Sequence, residues 1–203
     1  VEKWDEVKNY EIQVQLAGEE KIAGISCEEL VNKKIVSGKI VAYYLARTQQ
    51  LYEKLGFKLE NMRFRQLDDD ERAFYAKEAY DFEVKTSVGW LELIANNYRT
   101  DYDLKGHTAG SKQDLQVTEP DGKKFIPHVW EISIGTDRTF YGVLENSYKS
   151  EGERVWLSLP NKLAPLQVAV FPLVSNKEEI TKKAKEVAKQ ISQTVGGAII
   201  FGN

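Results

Sequence analysis

The sequence is poor in the residues that build metal and disulfide frameworks. It has one cysteine, Cys27, and two histidines, His107 and His128. A lone cysteine excludes an internal disulfide framework and fits a reducing, cytoplasmic setting. So few Cys and His residues also leave a zinc centre of the usual ligand type without its ligands. No run approaches the ~20 apolar residues needed to span a bilayer, so no membrane partner is expected. The opening residues, VEKWDEVK, are charged and do not read as a secretory leader. Proline is absent from the first 119 residues, and all five prolines fall after them. There is no internal repeat and no low-complexity run. What remains is ordinary for a soluble globular chain of 203 residues: 42% hydrophobic, 29% charged, formal net charge −3. That balance does not advertise nucleic-acid binding, although it leaves room for a local basic face.

Periodicity supplies a coarse map. Residues 39–56 carry Ile40, Val41, Tyr44, Leu45, Thr48, Leu51, Tyr52 and Leu55 as a helical stripe, with Gly56 as its stop. A second helix is expected over 69–80, where Asp69, Asp70 and Glu71 suit a positive N-terminus. Residues 88–95 read as a buried strand, 136–148 as a helix, and 155–159 and 166–173 as strands. Residues 177–192 form an amphipathic helix with Ile180, Ala184, Val187, Ala188 and Ile191 on one face, and Asn176 with Glu179 as a capping box. The charged run NKEEITKKAKEVAKQ is its solvated side. The pair Gly196–Gly197 reads as a turn, not a phosphate loop, because no Lys-Ser/Thr follows. A last strand, AIIF, completes a β-α-β unit, entered through the hinge LAPLQ at 163–167.

The stretch FIPHVWEISIGTDR, 125–138, carries the most chemistry. A strand runs into a Gly turn, and the turn opens a helix whose first turn holds Asp137 and Arg138. Alternate residues share a strand face, so Glu131 and Ser133 point the same way. A carboxylate, a hydroxyl and a guanidinium around one turn can hold a small cation and an anion together. Arg138 sits where the helix dipole disfavours a cation. It is either a surface Arg paired with Asp137 or half of a phosphate cradle with the helix N-terminus. Glu92 is the other oddity: it lies mid-strand, with Trp90 and Ile94 on its face, and a carboxylate there needs a cation, a metal or an edge exposed to water. His107 and His128 read as ordinary hydrogen-bonding residues. Alone, these residues support an α/β protein with a phosphate-and-amine site.

Several blocks, in order, resemble the archaeal and eukaryotic branch of glycyl-tRNA synthetase, a class II aminoacyl-tRNA synthetase. They are IVAYYLARTQQLYEKLG at 40–56, RFRQ at 63–66, DERAFYAKEAY at 70–80, TSVGWLELIANNYRTDYDLKGH at 86–107, IPHVWEISIGTDRTFYGVLENSY at 126–148 and PNKLAPLQVAVFPL at 160–173. The block at 126–148 resembles class II motif 3, and that at 160–173 the start of an anticodon-binding domain. The resemblance implies an α+β fold. Residues 1–158 would be the C-terminal part of a class II catalytic domain, an antiparallel sheet with flanking helices in which motif 3 gives a central strand. Residues 1–36 would be an insertion, and 159–203 the first β-α-β of an α/β anticodon-binding domain.

The implied activity is glycine–tRNA ligation. Glycine is activated by ATP with Mg²⁺ to glycyl-adenylate and then transferred to tRNA(Gly), in a protein that is homodimeric when whole. Carried over by matching position, Glu131 and Ser133 hold the glycine ammonium, and Gly135 is a further glycine-binding residue. Arg138 lies on the ATP phosphates, with Gly135, Thr136 and Asp137 forming its turn. Glu92 and Leu93 belong to the ATP site, Glu92 acting through Mg²⁺; Arg138 and Glu92 are the expected catalytic pair. The sequence departs from the family where Ile132 replaces a Pro, Leu67 a His, and Phe74 another His. Motifs 1 and 2 are not found, so a partial enzyme, inactive by itself, is expected. Two other readings stay open: a synthetase-like accessory protein of a polymerase, and a prolyl, threonyl or histidyl enzyme.

Overall fold

The computed structural model describes residues 1–195 and 199–201. The chain divides into two compact units, Val1–Val155 and Trp156–Asn203. In chain order the first unit contains β1 (Glu11–Gln15), β2 (Ile22–Ser26), α1 (Cys27–Asn32), α2 (Lys39–Lys54), β3 (Met62–Gln66), β4 (Glu78–Thr86), β5 (Gly89–Thr100), α3 (Tyr102–Ser111), β6 (Val117–Thr118), β7 (Lys124–Phe125), β8 (Val129–Ile134), α4 (Thr136–Ser147) and β9 (Tyr148–Glu151). The boundary falls inside β10 (Arg154–Leu157), and β11 (Val168–Val170), α5 (Glu178–Val195) and β12 (Ile199–Phe201) follow.

Six strands form the main sheet in the order β2-β1-β3-β4-β5-β8, antiparallel throughout except for the parallel pair β1–β3. One face of this sheet is the core. Met62 and Phe64 of β3, and Tyr80, Phe82 and Val84 of β4, are buried there among Leu45, Tyr52 and Phe57 from α2 and its exit. The rings of Tyr52, Phe57, Phe64 and Phe82 lie 4.6–5.6 Å apart in tilted pairs. Gly142 lets α4 join the same core: a Cβ there would lie 3.4 Å from Phe57 and 3.6 Å from Val84. The Tyr52 hydroxyl also meets Thr139 Oγ1 of α4 at 2.7 Å.

Helix α2 follows the expected bounds, and Gly56 ends it at φ 94°. Its stripe divides, however. Val41, Leu45, Thr48 and Tyr52 are buried with Ala42, Ala46 and Gln49, whereas Ile40, Tyr44 and Leu51 are exposed. The small residues between the large ones turn the packed face by roughly one position. Helix α1 starts on Ser26, whose hydroxyl accepts from the Glu29 amide at 3.2 Å.

The expected helix over 69–80 is not formed. Residues 67–77 are a loop, and residue 78 already opens β4. Asp68 caps the loop as a tight turn, its carboxylate accepting from the Asp70 and Glu71 amides at 2.9 and 3.0 Å. The acidic run thus serves a turn instead of a helix start. In the second unit, β11 and β12 pair in parallel, as a β-α-β unit requires. The five apolar residues expected on one face of α5 are half-buried, together with Thr181. The helix begins at Glu178, so Asn176 lies too early to cap it. The expected Gly196–Gly197 turn lies outside the described residues. Among the described residues, no helix is long and apolar enough to cross a membrane.

Candidate functional site

Strand alternation that buries Met62, Phe64, Tyr80 and Phe82 on one face must put their neighbours on the other. Those neighbours are Arg63, Arg65, Asp81 and Glu83, and they form a dense ionic layer. Arg63 donates to the Glu83 carboxylate at 2.6 Å from Nε and to Gln15 at 2.6 Å, with its guanidinium 4.3 Å above the Trp90 ring. Arg65 reaches Glu71 at 2.8 Å, Asp81 at 3.1 Å and Glu83 at 3.3 Å. Burial, then the charge of Glu92, pushes the Asp81 carboxyl up to about 6, against the opposing pull of Arg65.

β5 crosses this face with two register shifts. Glu83 pairs with Glu92 but Phe82 pairs with Ile94, which leaves Leu93 as an extra residue. Tyr98 pairs with Trp130 and Thr100 with Val129, which leaves Arg99 as another, beside Thr100 at φ 52°. Bulges re-aim side chains, and they favour the neighbourhood of sites. The first bulge corrects one expectation: Ile94 turns into the core with Leu93, both 1% exposed, and does not share the Glu92 face. Glu92 is left facing outward beside Trp90. β5 is also no edge strand, lying between β4 and β8. The edge is β8 itself, so the strand expected to be central has one neighbour among the described residues.

Glu131 and Ser133 do share a face, opposite Asn97 and Ala95 of β5. The guanidinium that meets Glu131 is Arg99. It donates to Glu131 at 2.8 Å and grips Asp103 of α3 through two bonds of 2.6 Å, while Asn97 Nδ2 approaches Glu131 at 3.3 Å. The Tyr75 ring lies 3.9 Å from the Arg99 guanidinium. The bonds to Asp103 and Glu131 hold Arg99 well above its ordinary pKa, and the Arg99 bond keeps the Asp103 carboxyl below the usual range. Ser133 is exposed at the other side of Glu131.

At the far end, the Gly135 amide donates to the Leu93 carbonyl at 2.8 Å, and its carbonyl accepts from Thr139 at 2.8 Å as α4 begins. A Cβ on Gly135 would stand 3.3 Å from the Leu93 oxygen, so the close turn favours glycine. Arg138 does not pair with Asp137. Its Nη1 donates to the Glu92 carbonyl at 3.0 Å and to the Glu92 carboxylate at 3.4 Å. Both side chains are open, 55% and 42% exposed. Leu93 contributes its backbone here, since its side chain is in the core. Thr136 and Asp137 are exposed on the first turn. His128 meets the Tyr98 hydroxyl through Nδ1, a plain hydrogen-bonding part. Among the described residues, no three His, Cys, Asp or Glu side chains converge as a metal site. Glu92 offers one hard oxygen donor, which suits Mg²⁺ only where phosphates complete its shell.

The structure therefore adds Arg63, Arg65, Asp81, Glu83, Asn97, Arg99 and Asp103 to the residues expected from sequence. The R-F-R and D-F-E alternations were the available signal for four of them; the bulge at Arg99 had none.

No family model matches the chain. Individual proteins do. A glycine–tRNA ligase of Archaeoglobus fulgidus is 30% identical over 244 residues, covering 83% of this chain and 43% of that protein. One from Methanocaldococcus jannaschii is 29% identical over 259 residues, covering 88% and 45%. In sequence the chain is similar to archaeal glycine–tRNA ligases. The Thermococcus gammatolerans ligase matches over 280 residues at 28%, covering 98% of the chain and 49% of that protein. The chain thus spans a little under half the length of these ligases. The matched spans exceed its own 203 residues, so each ligase carries inserted residues within the matched region. In fold the chain is similar to a class II enzyme, Giardia lamblia prolyl-tRNA synthetase in complex with prolyl-adenylate. The TM-score is 0.60 over 80% of this chain and 31% of that one, at 16% identity. The likeness to glycine–tRNA ligases is one of sequence, and the likeness to a class II enzyme is one of fold.

Proposed function

We propose that this chain forms part of the catalytic region of a glycine–tRNA ligase and leads into an anticodon-binding unit. The observation that carries the reading is the outward face of the sheet. Glu131 and Ser133 stand on it, with Arg138 farther along at the N-terminus of α4, in a chain similar to glycine–tRNA ligases. Glu131 is presented by Arg99 and Asn97 with one carboxylate oxygen left to accept from an ammonium group. Ser133 supplies a second polar contact. Arg138 and the first amides of α4 offer positive charge to a polyphosphate. Mg²⁺, when bound with ATP, would neutralise phosphate charge, with Glu92 as the protein's oxygen donor. A glycine held by its ammonium at Glu131 turns its carboxylate toward the Arg138 end. An oxygen of that carboxylate attacks the α-phosphorus of ATP, and the bond to pyrophosphate breaks. A ribose hydroxyl of tRNA(Gly) then attacks the glycyl carbonyl carbon and AMP leaves. These steps need alignment and charge neutralisation more than a dedicated base. A homodimeric whole enzyme fits the same reading.

Calorimetric titration with a sulfamoyl analogue of glycyl-adenylate tests this. The glycyl analogue should bind, the alanyl analogue should bind at least ten-fold more weakly, and Glu131→Ala should abolish binding. Equal affinity for both analogues would sink the assignment. Because the chain spans under half of its relatives, glycine-dependent pyrophosphate exchange by the 203 residues alone should stay at background. Robust exchange would refute the partial-enzyme part of the reading.

A further inference from the structure

The loop 67–77 carries a feature that glycine activation does not use. Phe74 is 85% exposed, the highest value for an aromatic ring in the first unit, and Tyr102 is 50% exposed. The Phe74 ring lies edge-on to Tyr75 at 5.3 Å and to Tyr102 at 5.8 Å. Holding a bare phenyl ring in water is unfavourable unless something covers it. The rim is joined to the site through one residue, because Tyr75 stacks on the same Arg99 that holds Glu131. Arg138 is at the other bulge of β5, beside Glu92, which stands seven residues from Arg99. At strand rise that is on the order of 20 Å away.

We infer that Phe74 and Tyr102 form a stacking platform for the unpaired base at the 3′ end of the RNA substrate. The inference rests on the ligase reading above. Transfer requires the terminal ribose to reach the carbonyl of a glycine anchored at Glu131, so its base must lie close to the Arg99 end. Aromatic rings stack any base through its π-face. The charges around the rim separate a base from a phosphate. The rim's charges are largely met within the chain: Asp69 pairs with Arg72 at 2.7 Å, Asp101 with Lys105 at 2.8 Å and Asp103 with Arg99 at 2.6 Å. A rim whose charges are already paired offers the phosphate backbone little and leaves stacking as the attraction. It also points away from the adenine of ATP, whose phosphates are expected at Arg138.

The test is fluorescence anisotropy of the 203-residue chain with a single-stranded oligoribonucleotide, labelled at its 5′ end and free at its 3′ end. Binding should be lost with a blunt duplex, and should change little with salt. Phe74→Ala and Tyr102→Ala should each weaken it about ten-fold, and Phe74→Trp should retain it. Phe74 is exposed, so these variants keep the fold. No binding up to millimolar chain, equal affinity of Phe74→Ala, or displacement by AMP in an Arg138-dependent manner would each overturn the inference. If the oligoribonucleotide binds through Phe74 while the glycyl-adenylate analogue does not bind, the ligase reading fails and the base site stands.

Discussion

The two faces of one sheet are built from the same strands by alternate residues, yet they are held by different physics. On one face Phe64, Tyr80 and Phe82 lie at 0% exposure against α2 and α4. On the other, Arg63, Arg65, Asp81 and Glu83 are closed up with little water and must satisfy one another. The first face is non-directional and gains by area removed from water. The second pays desolvation that its own ion pairs have to offset. The contrast teaches where stability and where chemistry are stored. It predicts first that the apolar face dominates. Phe82→Ala should destabilise the first unit by about 3–5 kcal/mol, read as a lower urea midpoint. A loss below 1 kcal/mol would break the division.

The next effect belongs to the inner part of the charged face. Glu83 is 9% exposed and serves two arginines at once. Glu83→Ala should cost about 2–4 kcal/mol, because it strands Arg63 beside Trp90. The double change Arg63→Met with Glu83→Leu should recover part of that loss, since an apolar pair of similar volume needs no counter-charge. If the double variant is no better than the single, the pair is a net contributor and the contrast softens.

Asp81 gives a smaller effect with a defined sign. Its carboxyl titrates near about 6 in the fold, against an ordinary value of 3.8. A raised folded value means the native state binds the proton more tightly. The stabilisation is present below the unfolded pKa and is lost as pH rises from about 4 to 6. Relative to Asp81→Asn, the wild type should therefore lose on the order of 1–2 kcal/mol across that window. A flat difference between pH 4 and 7 would show that Arg65 fully compensates the burial.

Much of this contrast was readable before any coordinates. The helices at 39–56, 136–148 and 177–192, and the β-α-β ending, followed from period and punctuation. Glu131 and Ser133 share a face because strand period is two. The failures have local causes. The acidic run Asp69, Asp70 and Glu71 looks like a helix N-terminus, but the carboxylate of the preceding Asp68 accepts from amides two and three residues on, and this favours a turn. Glu92 was assigned an apolar neighbour in Ile94 because a bulge adds one residue without any mark in the sequence. The same invisibility hid Arg99. Resemblance supplied the expected roles at Glu131, Ser133 and Arg138, while the supporting Arg99 had to come from geometry.

The smallest stability effect is expected at the outer end of the charged face, and it is the sharpest test of the contrast. Glu92 and Arg138 are half open to water and 3.4 Å apart. An exposed pair of this kind contributes about 0–1 kcal/mol, and a cation in the first turn of α4 gives some of that back to the helix dipole. Arg138→Ala and Glu92→Ala should each leave the urea midpoint within about 0.5 kcal/mol of wild type, with little coupling in the double variant. The same substitutions should remove or strongly weaken binding of the glycyl-adenylate analogue, because the charges are then asked to meet phosphate instead of each other. A stability loss as large as that of Glu83→Ala would place this pair with the structural ion layer. A neutral stability effect joined to lost ligand binding would show that the face changes purpose along β5, from an inner layer that holds the sheet to an outer one kept for a ligand.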